Sequence, residues 1–156
     1  MKLSLGDIVT ASKQPGLHER ISPPGSREIC AITSSVGSLP AEYVRFLDKN
    51  GAWNLFRTIG KFDSKYWWFG VGVEPRISRT SCEVWFACGY RFTLGYYYFK
   101  YDPNSRRFSR AVYGARGSGL GIYADNFDEW FQQSITWAYR KLPKKVWKQE
   151  FGLPSM

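Results

Sequence analysis

The sequence predicts an α+β domain: two short N-terminal helices, a central mainly antiparallel sheet of about five strands, and a C-terminal helix packed on the sheet. Three observations carry this reading. Two segments with helical apolar spacing and clear stops lie between Ser26 and Gly51. Aromatic and β-branched segments broken by turn residues fill the middle of the chain. A capped amphipathic segment opens at Asn126. With 156 residues, 44% of them hydrophobic, the chain has the size of one domain with one core.

Each element follows from a local signal. Residues 1–25 are polar and broken by Pro15, Gly16, Pro23, Pro24 and Gly25, so they read as an irregular arm with at most a short strand near Leu5 to Val9. In "SREICAITSSVG", Ile29, Ile32 and Val36 fall three and four apart, on one helical face. Ser26 is placed to cap that helix and Gly37 to end it. "SLPAEYVRFLDKNG" follows at once. Pro40 suits the first helical position, where its missing N–H is no loss. Tyr43, Phe46 and Leu47 share one face, with Glu42, Arg45, Asp48 and Lys49 turned away from it, and Asn50-Gly51 supplies the left-handed close.

The strand candidates are "WNLFRTIG", "KYWWFGVGV", "CEVWFACGY", "FTLGYYYFKYD" and "RFSRAVYG". Asp102, Pro103 and Asn104 mark a turn between the last two, and short turns between successive strands argue for antiparallel pairing. "GARGSGLG", Gly114 to Gly121, reads as a flexible loop. In "NFDEWFQQSITWAYRKL", Asn126 and Glu129 make a capping-box start. Phe127, Trp130, Phe131, Ser134, Trp137 and Ala138 then form a wide apolar stripe. The organisation is an arm at 1–25, the α+β domain at 26–142 and a basic tail at 143–156.

Candidate chemistry is sparse. The one histidine, His18, lies in the arm, where a solvated surface role is the usual one. Asp125, Asp128 and Glu129 cluster where carboxylates favour a helix N-terminus without any catalytic duty. Cys30, Cys82 and Cys88 have neither an even count nor metal-ligand spacing, which indicates free thiols in a reducing compartment. The glycines of "GARGSGLG" lack both the P-loop ending and the dinucleotide-binding spacing. The sequence therefore points to no catalytic residue, metal or cofactor. No apolar run approaches the roughly 20 residues that span a bilayer, and "MKLSLGDIVTASKQPG" lacks the apolar stretch of a signal peptide; the expectation is a cytoplasmic protein without membrane contact.

Charge is the positive signal. The net charge is +9, with 22 Lys and Arg against 13 Asp and Glu, which implies attraction to an acidic partner. Arg140, Lys141, Lys144, Lys145 and Lys148 crowd near the C-terminus, where they also complement a helix end. Basic residues interleave with aromatics in "KYWWFG", "GYRFTLGYYYFKYD" and "RRFSRAVYGAR", a pattern that also suits nucleic-acid binding, although no RRM signature is present.

"REICAITSSVGSLPAEYVRFLDKNG" resembles the N-terminal signature of the SUKH superfamily, which includes bacterial immunity proteins and yeast regulators of cell-wall glucan synthesis. The family places are held by Val36-Gly37, Leu39-Pro40, Glu42, Tyr43, Phe46-Leu47 and Asn50-Gly51. "GYYYFKYDPNSRRF" is similar to the family's central strand pair and "NFDEWFQQSI" to its closing helix, with Phe127 and Trp130 at motif positions. Thr33 stands where a Glu is common, and Ala52 where a second Gly often follows. The resemblance implies a scaffold in which Leu39, Pro40, Tyr43, Phe46, Leu47, Asn50, Gly51, Phe127 and Trp130 are structural. It also implies a non-enzymatic immunity protein that binds and neutralises a cognate polymorphic or contact-dependent toxin. The chain's charge calls for a toxin with an acidic surface. The residues best placed to meet it are Arg91, Tyr97, Lys100 and Tyr101, with Arg106 and Arg107 beyond the turn. Nucleic-acid binding by the same residues is the alternative.

Overall fold

Two long strands with alternating inward and outward side chains organise the molecule. The computed structural model describes residues 2–11, 16–21, 25–59, 62–63, 67–141 and 144–152. In chain order the elements are α1 (Leu5–Ala11), β1 (His18–Ile21), α2 (Ser26–Thr33), α3 (Ala41–Asn50), β2 (Ala52–Leu55), β3 (Thr58–Ile59), β4 (Phe62–Asp63), β5 (Phe69–Val71), β6 (Ile77–Arg79), β7 (Val84–Arg91), β8 (Gly95–Asp102), β9 (Arg107–Phe108), β10 (Val112–Arg116), β11 (Gly119–Ala124), α4 (Phe127–Lys141) and α5 (Lys144–Phe151).

The architecture is a single α+β domain. Its main sheet has nine strands among the described residues, in the order β1-β2-β5-β7-β8-β10-β11, with β6 beside β7 and β9 beside β8. The pairings are antiparallel. β3 and β4 form a separate two-stranded ribbon. The sheet is thus larger than the expected five strands. β1 and β6 are short and polar, so pairing with a neighbour (β2 and the long β7), not alternation of their own, makes them strands. "GARGSGLG" is no loop: its ends are β10 and β11, joined by a tight hairpin through Gly117 and Ser118.

The expected irregular arm contains α1 and β1. Ser4 caps α1: the Asp7 amide donates to Ser4 Oγ at 3.1 Å, while the Ser4 amide donates back to the Asp7 carboxylate at 2.7 Å. Leu5, Ile8 and Leu17 are buried, and the Leu3 amide bonds the Gln132 side chain at 3.2 Å. The expected basic tail is likewise a helix. α5 exposes Lys144, Lys145 and Lys148 but buries Trp147 completely, with ring contacts to Tyr139 at 5.0 Å and Phe56 at 5.2 Å. One apolar anchor and four-residue spacing make this segment amphipathic despite its charge.

The two motif helices are pinned to the sheet. α2 is entered through Gly25, whose amide donates to Glu28 at 2.9 Å; Ser26 bonds Asp48 of α3 instead of capping. Gly37 is required by proximity: a Cβ there would lie 2.4 Å from the Arg106 carbonyl and 2.8 Å from the Tyr101 ring. This close approach lets Ser38 pair with the β9 strand, through Ser38 N–H to Arg106 O at 3.2 Å and Phe108 N–H to Ser38 O at 2.8 Å. Pro40 is buried just before α3, and Gly51, at φ 76°, ends the helix by donating to Leu47 O at 2.8 Å. Trp53 Nε1 donates to the Asn50 carbonyl at 2.6 Å. Tyr43 and Leu47 are buried; Phe46 and Leu39 are partly buried against the core.

Two outcomes are expected. Trp147→Ala should lower unfolding free energy by about 3–5 kcal/mol, the usual loss for a large buried ring; a denaturant midpoint equal to that of the parent would show that α5 does not anchor the domain. Glu42 sits in the first turn of α3, where its own backbone N–H and then Arg110, with Nε 3.0 Å away, hold its carboxyl below the usual range. A lowered folded pKa gives stability that is present above the ordinary Glu value and lost as pH falls through the folded one. Denaturation of Glu42→Gln against the parent should therefore show curves furthest apart near neutrality and converging in acid; a constant gap across pH would refute this linkage.

Candidate functional site

The helices cover one face of the sheet. From β8, Tyr97, Phe99 and Tyr101 point inward, Tyr97 against Trp130 of α4 at 5.3 Å and Phe99 against Tyr43 of α3 at 5.1 Å. The alternate residues Tyr96, Tyr98 and Lys100 point to the opposite face. There Trp85 lies edge-on to Tyr113 at 5.2 Å and to Tyr98 at 6.3 Å, with the Lys100 ammonium 5.5 Å over its ring. Tyr113 is opposite Ile122, and Ala115 opposite Leu120, so the aromatic cluster continues into the edge strand β11. Ile122 is 49% exposed and Leu120 39%. The result is an outward sheet face in which Trp85 is buried beneath the half-buried Tyr98 and Tyr113 and bordered by open aliphatics.

Charges frame this face in neutralised pairs. Lys100 Nζ is 3.2 Å from Glu83. Arg76 stacks on Tyr96 at 4.1 Å and lies 3.8 Å from Glu74, which also accepts from the Tyr96 hydroxyl. Tyr90 donates to Asn54 at 2.8 Å, and Asn54 in turn to Glu19 at 3.3 Å. Burial, followed by Tyr96, Glu74 and Glu19, raises the Tyr90 pKa, so the phenol stays protonated and serves as a donor. These partly exposed pairs contribute at most about 1 kcal/mol each; their role is to orient rings.

The residues expected to meet a partner divide between two faces. Arg91 and Tyr97 are 6% and 2% exposed and turn to the helix-covered side, so they take no part in the outward face. The reason is a β-bulge: Ala87 pairs with Tyr98 and Gly89 with Tyr97, leaving Cys88 as an extra residue. The extra residue reverses the alternation of β7 and turns Arg91 inward. Tyr101 is half-buried and packs on Phe108 at 5.4 Å. Lys100 belongs to the outward face. Arg106 and Arg107 are exposed but sit at the β8–β9 turn, where Arg106 at φ 52° lends its carbonyl to Ser38. Sequence reasoning missed Trp85, Tyr98, Tyr113, Leu120 and Ile122, because their grouping requires the pairing of four strands.

The other candidate groups have structural duties. His18 is in a strand, edge-on to Trp53 at 5.4 Å, and burial lowers its pKa. At the start of α4, Asn126 Oδ1 accepts the Glu129 amide at 2.9 Å, as the expected cap requires, while Glu129 reaches one residue further back than a capping box and accepts the Asp125 amide at 2.8 Å. Among the described residues no group of His, Cys, Asp and Glu could hold a metal ion. Cys88 is buried with its thiol pKa pushed up, Cys30 is partly buried with its pKa raised by burial and then Asp48, and Cys82 is exposed. In the native protein a maleimide should label Cys82 first, Cys30 slowly and Cys88 only on unfolding; mass spectrometry showing rapid native labelling of Cys88 would contradict the burial of the bulge.

The chain matches no protein-family model, no curated protein and no solved structure.

Proposed function

We propose that this protein is an immunity protein of SUKH type, which binds a cognate bacterial toxin in the cytoplasm and neutralises it by occlusion, without catalysis of its own. The observation that carries the reading is the outward sheet face. Rings and aliphatics in one continuous patch, rimmed by satisfied charge pairs, have the composition of a protein-binding hot spot. The arrangement of the motif residues agrees with a scaffold role: Tyr43, Leu47, Phe127 and Trp130 fill the core, while Gly37 and Gly51 shape backbone. They leave the outward face free to vary with the partner.

The charge distribution supports an acidic toxin. The exposed cations at the β8–β9 turn and on α5 lie outside the aromatic patch, where they steer encounter more than they fix it. Nucleic-acid binding is less well supported by the same face. Lys100 and Arg76 already face carboxylates, and the rings stack edge-on against each other, leaving few flat surfaces for bases.

The test is co-expression with a candidate toxin domain, sought first among the products of the neighbouring genes. The parent should protect cells, and the purified pair should associate more slowly as salt rises. Tyr98→Ala combined with Ile122→Asp should weaken binding at least tenfold, about 1.4 kcal/mol, with an unchanged denaturant midpoint for the single Ile122→Asp variant. Full protection by the double variant would exclude this face, and salt-dependent retention on DNA or RNA without protection would favour the alternative.

A further inference from the structure

On the helix-covered side, away from the outward face, Arg91 forms the floor of a depression of about 480 Å³ between β7 and α4. A guanidinium is charged at any physiological pH, and burying one calls for a counter-charge. Arg91 has none: among the described residues no carboxylate lies within ion-pair distance. Its Nε donates to Ser134 Oγ at 3.0 Å. Aromatic rings supply the rest of its surroundings, Tyr97 at 4.9 Å, Trp130 at 5.8 Å and Trp137 at 6.0 Å from the guanidinium carbon. Nη2 is buried without a hydrogen-bond partner, and so is Trp130 Nε1 on one of those rings. The Tyr97 hydroxyl is an acceptor beside the guanidinium, and these two donors still lack one.

The walls suit an acceptor that carries charge. Arg140 stands at one side, exposed and in no ion pair with a described residue. Gln133 and Thr136 line the α4 wall, with Trp137 beside them. Gln133 is held by its bond to the Tyr123 carbonyl at 3.0 Å. One acid, Glu129, is on the rim, and its Oε2 is already engaged by the Asp125 amide. We propose that this depression is a carboxylate-binding pocket, in which Arg91 and Arg140 clamp a planar anion beside the Trp137 ring. The planar fork of arginine matches a carboxylate through two parallel bonds, and the surrounding aromatic rings keep the site dry enough for the charge to count. Two sources offer that chemistry, an acidic side chain of a protein partner and a small free carboxylic acid.

The site does not rest on the toxin reading, and its failure would leave the outward face untouched. The experiment follows the Arg91 Nε–H and Trp137 indole signals by NMR while carboxylate replaces chloride at constant ionic strength. The probes are N-acetyl-glutamate amide, which presents the group as a protein does, succinate as a free acid, and inorganic phosphate for comparison. A saturable shift with blocked glutamate supports a protein-borne carboxylate, and one with succinate alone supports a free acid. Arg140→Gln should weaken either about tenfold while keeping the parent's denaturant midpoint. No saturable shift with either carboxylate, a shift with phosphate only, or Arg140→Gln binding as tightly as the parent would overturn the proposal.

Discussion

The fold depends on how one carbonyl is satisfied. Cys88, the extra residue in the β7 bulge, has a buried C=O that accepts from the Gly72 amide at 2.9 Å and from the Tyr43 hydroxyl at 3.1 Å. Left unpaired, such a group would cost about 1–3 kcal/mol. Tyr43 reaches it from α3 through a cage of edge-on rings, Phe86, Phe99 and Phe127, all within 6.1 Å. One side chain therefore joins the motif helix, the central strands and the closing helix. A phenylalanine there would keep the cage but remove the donor to the bulge.

The bulge has a consequence for charge. By reversing the alternation of β7 it sends the phenol of Tyr90 outward and the guanidinium of Arg91 inward. Among the described residues, the two cations beside the outward rings have acids next to them, Lys100 with Glu83 and Arg76 with Glu74. The net charge of +9 is therefore expressed elsewhere, at the Arg106-Arg107 turn and along the end of α4 and α5. Contact and steering are assigned to different parts of the surface, which suits an interface whose core must be dry and whose approach is electrostatic.

Local signals in the sequence are enough for the helices, for different reasons in each case. Asn126 and Glu129 cap α4 as their spacing indicates, and Tyr43 and Leu47 are buried as their shared face requires. Long aromatic strands are equally plain. What is hidden depends on partners. β1 and β6 are strands because a neighbour pairs with them, and β11 is glycine-rich because one turn and close packing against Arg116 shape it. The start of α1 was legible in principle, since Ser4 and Asp7 have capping spacing. The surface site was not: strict alternation from Trp85 places Arg91 on the outward side, and only the pairing of Ala87 and Gly89 reveals the skipped residue.

That skipped residue also explains why the two sides of the sheet can serve separate purposes. In an unbulged β7, Arg91 would stand on the outward side at the Tyr96 end of the strand pair, and Tyr90 would turn inward toward α4. A lone cation at that end of the outward face would have to be desolvated by any partner covering it, which disfavours binding unless the partner supplies an acid at that one spot. With the bulge, that demand moves to the α4 side, where Arg91 lies beneath Trp137 and beside Arg140. On the proposed binding reading, the outward face is left to discriminate by shape and apolar contact. The buried cation and the apolar patch thus lie on opposite sides of one sheet, and the inserted cysteine holds them apart.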